Sequence, residues 1–87
     1  MRKEFPTNIK LDEATLKAIK DAKGEITPGE IKEYVINELQ LSPEVVELED
    51  ESGIGTKLDY TLRWSRTRLK DKGLIVNVRR GVWKINE

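Results

Sequence analysis

Hydrophobic positions along the chain recur first at helical spacing and then at strand spacing. Leu16, Ile19 and Ala22 fall on one face of a helix that the sequence predicts from Asp12, with Asp12 as N-cap, Glu13 in the positive first turn and Gly24 as the terminating glycine. Before it, Pro6 and the alternation Asn8-Ile9-Lys10-Leu11 predict an extended lead-in over residues 1–11. Glu25-Ile26 is long enough only for a bridging strand. Thr27-Pro28-Gly29-Glu30 then combines a capping box with a proline at the first helical position. Ile31, Tyr34, Val35 and Leu39 line one side of the helix it opens, which runs to about Gln40. Ser42-Pro43-Glu44 repeats the start signal for a short helical turn through Leu48, and residues 49–55 read as a flexible acidic loop.

Thr56 opens the longest helix, Lys57 to Lys72, which Gly73 closes. Its core stripe is Leu58, Leu62, Ser65 and Leu69, because those side chains share a narrow sector at 3.6 residues per turn. Tyr60, Arg63 and Thr67 lie opposite, with Lys70 and Trp64 at the edges of that outer face. Beyond Gly73 the period changes: Leu74–Val78, a turn at Arg79-Arg80-Gly81, and Val82–Ile85 read as a β-hairpin. The predicted class is α+β and mostly α. Three main helices, a short inserted helix and a C-terminal β-hairpin wing form a winged helix, a helix-turn-helix variant, over a single domain of residues 1–87.

Charge sharpens this picture. The chain of 87 residues has formal net charge zero, yet residues 1–51 carry 7 basic and 13 acidic side chains, whereas residues 52–87 carry 9 basic and 3 acidic ones. One half is therefore −6 and the other +6. A basic half that contains the long helix and the hairpin points to a polyanionic partner, double-stranded DNA. Lys57, Tyr60, Arg63, Thr67 and Lys70 are the residues expected at a groove, with Arg79 and Arg80 clamping a phosphate. Trp64 reads as a packing residue covered by the N-terminal segment or the hairpin, and Trp83 as the side chain that closes the core.

Candidate chemistry is sparse. With no histidine and no cysteine, the chain has neither the usual zinc ligands nor a Ser-His or Cys-His pair. Gly53-Ile54-Gly55-Thr56-Lys57 fails the P-loop order, and its three preceding acids would repel phosphate. The acids at Glu47, Glu49, Asp50 and Glu51 lack the rigid support that a catalytic metal site requires. The expectation is a non-catalytic module with no cofactor and no metal. No apolar run reaches the ~20 residues of a membrane span, and the N-terminus has no signal-peptide stretch, so the expected location is cytoplasmic.

Trp64, Arg66, Thr67, Leu69, Lys70, Gly73 and Leu74, preceded by Arg63 and followed by Arg79, Arg80, Gly81, Val82 and Trp83, resemble a known signature. It belongs to the N-terminal domain of Mrr-type restriction endonucleases and runs close to Arg-x-x-Trp-Ala-Arg-Thr-Tyr-Leu-Lys-Lys-Ala-Gly-Leu, then Arg-Arg-Gly-Val-Trp. Ser65 replaces the usual alanine and Arg68 the usual tyrosine. Glu30-Ile31 and Leu39-Gln40-Leu41-Ser42 resemble the family's second helix and the turn after it, so the likeness spans roughly residues 14–87. It implies a winged-helix DNA-binding domain that delivers a C-terminal, metal-dependent nuclease to modified foreign DNA. The chain stops after the binding module, which marks it as a domain of a longer nuclease or a stand-alone relative. The alternatives are a protein-interaction winged helix, at most a weak homodimer, and a small transcriptional regulator.

Overall fold

The computed structural model describes residues 4–53 and 55–87. The lead-in reading for residues 1–3 lies outside the described residues. Helix α1 spans Asn8–Ala22, and its N-cap is Thr7, whose hydroxyl accepts from the Lys10 amide at 3.3 Å. It therefore starts five residues earlier than the Asp12 cap predicted, because Thr7 is itself a good cap and Leu11 is a core residue at 0% exposure. Asp12 is freed for a tertiary role. The helix also ends earlier than expected, at Lys23 in the left-handed region (φ 55°), so Gly24 is not the positive-φ terminator. Leu11, Ala14, Thr15, Ala18 and Ile19 form its buried stripe.

Helix α2, Pro28–Leu39, begins as its sequence demands. The Glu30 amide donates to Thr27 Oγ1 at 3.3 Å, and Glu30 Oε1 accepts from the Thr27 amide at 3.2 Å. This reciprocal box satisfies two donors that a helix start otherwise leaves open. Ile31 and Val35 are fully buried, and Gln40 closes the helix at φ 52°. Ser42 caps α3, the single turn Pro43–Val46.

The described residues of the acidic loop that follows are tied by more hydrogen bonds than its composition predicts. Asp50 accepts from both the amide and the hydroxyl of Ser52 (3.0 and 2.5 Å), and the Asp50 amide donates to the Gly55 carbonyl (3.2 Å). A bridge between Glu49 and Thr56 ties the loop to the start of α4, Lys57–Asp71. Hydrogen bonds to the Asp50 side chain and along the backbone, rather than a hydrophobic pattern, hold this turn, so a reading by periodicity could not register it.

Leu58, Leu62, Ser65 and Leu69 are buried along α4, as the stripe predicted. α1 packs against α2, α4 and the wing, and the core runs from Leu11 and Ile19 through Ile31 and Val35 to Leu58, Leu62 and Ile75. After Gly73 (φ 75°), strand β1 (Ile75–Arg79) pairs antiparallel with β2 (Val82–Ile85). Asn77 faces Trp83 and Arg79 faces Val82, so Val78 is the extra residue of a bulge. Arg79 thus belongs to the strand rather than to the turn. The turn is Arg80-Gly81, where Gly81 takes φ 74°, and the Asn77 side-chain amide staples it by donating to Arg79 O and Val82 O, both at 2.8 Å. Glu25-Ile26 supplies the expected bridge: Ile26 and Trp83 exchange two backbone hydrogen bonds of 2.8 and 2.9 Å. Trp83 packs on the core as predicted. Three main helices, an inserted turn and a C-terminal hairpin make this a winged helix.

Candidate nucleic-acid interface

Helix α4 presents four distinct sides, and each follows from what packs beside it. The inner stripe is apolar. The outer side carries Tyr60, Arg63, Trp64 and Thr67 around a depression of about 240 Å³. Tyr60 and Trp64, four residues apart, meet edge to face with ring centroids 6.2 Å apart, and each is 48% exposed. The expectation that Trp64 is covered is thus overturned. The N-terminal segment reaches Lys57 instead: the Lys57 ammonium lies 4.5 Å from the Phe5 ring centre. Among the described residues Arg63 and Lys70 form no ion pair, and Thr67 donates its hydroxyl to the Arg63 carbonyl at 3.1 Å.

The flank toward α1 is closed by charge. Arg68 forks onto Asp12 at 2.7 and 2.9 Å and also reaches Ser65 Oγ at 3.2 Å. Burial alone would raise the Asp12 pKa, but the hydrogen bonds from Arg68 and Ser65 and the charges of Arg68 and Lys72 bring it below 3.8. The Asp12 hydrogen bond correspondingly raises Arg68. The opposite flank, toward α2 and the wing, carries Asp59 and Arg66. Asp59 is held by Lys32 at 3.0 Å, which removes a carboxylate from the outer side. Arg66 lies 5.8 Å from the Trp83 ring centre, and its fully buried Nε has no acceptor among the described residues.

The wing separates its two arginines. Arg79 makes two hydrogen bonds to Glu25, at 2.8 and 3.2 Å, while Arg80 at the tip is exposed and has no ion pair among the described residues. Of the seven residues expected at DNA, the structure therefore groups Tyr60, Arg63 and Thr67 at one depression. Lys70 and Arg80 are exposed cations, Lys57 is held by Phe5 and Arg79 by Glu25. Sequence reasoning missed two neighbours of that group. Trp64 had a signal, its fourfold spacing from Tyr60. Arg66 shares a helical sector with Asp59 and Leu62, but its lack of a partner had no signal in the sequence. Among the described residues no group of three or more acidic side chains is placed to hold a metal ion, and no helix is long and apolar enough to cross a membrane.

The arrangement defines a winged-helix domain with a basic, aromatic-bearing long helix. Its family follows from a comparison with family models: residues 10–87 match the Mrr N-terminal domain, and the chain belongs to that family, a restriction-system domain. The match is to the N-terminal domain alone and not to a nuclease. No curated protein and no solved structure matches the chain.

Proposed function

We propose that this chain is a non-catalytic module that binds double-stranded DNA for a restriction-system protein, acting in the cytoplasm and delivering a C-terminal nuclease domain in full-length relatives. The observation that carries this reading is the division of labour on α4. Its flanking charges Arg68 and Asp59 are neutralised within the fold by Asp12 and Lys32, whereas among the described residues Arg63, beside Tyr60, Trp64 and Thr67, and the exposed Lys70 form no ion pair. A helix of this kind fits the major groove, where Arg63 reaches guanine edges or phosphates and Thr67 and Tyr60 offer neutral hydrogen bonds. Arg80 meets the backbone beside the groove, and Arg79 joins it by exchanging Glu25 for a phosphate.

Four neutralised phosphates correspond to a slope of about −3 to −4 in log K against log salt. A duplex titration across salt concentrations tests this, with Arg79→Ala/Arg80→Ala expected to flatten the slope and weaken binding. Binding indifferent to salt, or unaffected by the double substitution, removes the reading. One observation favours a second reading: the exposed Tyr60–Trp64 pair is also a ready apolar patch for a protein partner or a second copy. Light scattering that shows a dimer, with no shift on adding duplex DNA, would select it.

A further inference from the structure

Arg66 is the one guanidinium on α4 that the fold encloses without balancing. Its Nε is fully buried and meets no acceptor among the described residues, and the Trp83 ring covers one side of the group. Burial lowers its pKa, the Arg63 charge lowers it further, and the Asp59 charge opposes them. A native protein seldom leaves a buried charged donor unsatisfied, because each such group costs free energy that a partner would recover. Asp59 Oδ1 meets Lys32 at 3.0 Å, and among the described residues no hydrogen bond or ion pair links Asp59 to Arg66.

The space beside Arg66 has the features that an anion requires. A depression of about 250 Å³ is lined by Pro28, Gly29, Lys32, Asp59, Leu62 and Arg66. Two of these side chains are cations and one is an acid. The first turn of α2 opens onto it, where the capping box uses the Glu30 amide and Pro28 has no N–H to give. The amide at the second helical position, Gly29, is one of the donors that a helix start leaves without an intrahelical acceptor. Outside its own helix backbone and chain neighbours, no atom lies within 4 Å of where a Gly29 Cβ would stand, so that side of the backbone is open. The helix dipole adds positive potential at the same point.

We propose that this depression is a phosphate seat, in which Arg66 forks onto one phosphodiester of the duplex while Lys32 and the Gly29 amide hold its other oxygens. The proposal rests on the DNA-binding reading and adds a contact on the wing-side flank of α4, separate from the outer side that meets the bases. Arg66 suits the task because its planar fork matches two phosphate oxygens at once. An anion entering the depression balances the guanidinium charge that the protein leaves without a paired carboxylate.

Two measurements test the seat. In the first, inorganic phosphate is titrated into the protein while NMR follows the Arg66 side-chain Nε–H and the Gly29 amide. Saturable shifts at both, abolished by Gly29→Glu, are expected; shifts absent at both, or unchanged by Gly29→Glu, overturn the seat. The second is a duplex titration of Gly29→Glu, Gly29→Gln and Arg66→Met. Gly29→Glu sets an acid in the first turn of a helix, with open space around it, so the thermal midpoint should hold or rise. Its duplex affinity should fall about tenfold, and the salt slope of Arg66→Met should lose about one unit. Gly29→Gln should fall between the parent and Gly29→Glu, because it adds bulk without charge. If Gly29→Glu and Arg66→Met bind duplex like the parent while Arg79→Ala/Arg80→Ala does not, the seat falls and the DNA reading stands. If the parent binds no duplex yet phosphate still saturates Arg66 and Gly29, the DNA reading falls and an anion seat stands.

Discussion

Arg66 and Arg68 are two residues apart on one helix, and the fold treats them in opposite ways. Arg68 faces α1, where Asp12 meets it with two charge-assisted hydrogen bonds and Ser65 adds a third contact. Arg66 faces the start of α2 and the wing, where it finds an aromatic ring, a second cation and a carboxylate that Lys32 holds. One arginine fastens the helix to its neighbour, and the other is kept ready for something outside the chain. Positive charge in a basic segment is therefore not one quantity. Its availability depends on which acids the tertiary fold brings alongside.

The comparison breaks most visibly at the fastened side. Asp12→Ala leaves Arg68 half-enclosed without its anion and should cost about 2–3 kcal/mol in urea denaturation. Arg68→Ala should cost a similar amount, and the double variant clearly less than the two combined, because either substitution alone abolishes the same pair. A double variant that loses the full total would show that Asp12 and Arg68 act independently.

Acid should erode the same contact. The folded Asp12 carboxyl titrates below its ordinary 3.8, so its contribution is present above that pH and is lost as pH falls through the lower folded value. Denaturation midpoints followed below pH 4 should drop more steeply in the parent than in Asp12→Asn. Parallel curves would remove the assignment.

A smaller effect is expected at the wing. Glu25 holds Arg79 in an exposed pair, and such pairs are worth at most about 1 kcal/mol. Glu25→Gln should release Arg79 and raise duplex affinity about two- to fivefold at low salt, with less gain as salt increases. Weaker binding in this variant would mean that Glu25 positions Arg79 for DNA rather than competing with it.

The smallest effect belongs to Arg66. Arg66→Met removes an unbalanced buried charge and keeps much of the packing against Trp83, so stability should stay within about 0.5 kcal/mol of the parent or rise. A loss comparable to that of Asp12→Ala would show that Arg66 is a structural residue after all.

Much of this fold was legible in the sequence because it is encoded locally. Thr27, Ser42 and Thr56 cap helices wherever the chain goes, since each hydroxyl meets an amide three residues away. The stripe Leu58, Leu62, Ser65 and Leu69 follows from helical geometry alone, and Gly81 marks the hairpin turn because a positive φ favours it. The basic character of the second half, and the side of α4 that bears Tyr60, Arg63 and Thr67, were equally plain. Local rules also misled in places. Asp12 has the chemistry of a cap, but Thr7 precedes it and Arg68 claims it. Gly24 looks like a helix terminator, although Lys23 takes the left-handed conformation one residue sooner.

Only the tertiary structure decided which charges remain available and which aromatic rings are covered. Arg68, Arg79 and Asp59 find partners 56, 54 and 27 residues distant in sequence, and periodicity carries no information over such separations. Trp64 and Trp83 are the same residue type in the same basic half, yet one stands exposed beside Tyr60 while the other closes the core through Ile26. The sequence by itself determined the elements, their caps and the sign of each half, because those depend on neighbours within a few residues. Packing chose the partners, because ion pairing and burial depend on which surfaces the folded chain brings within a few ångströms of each other.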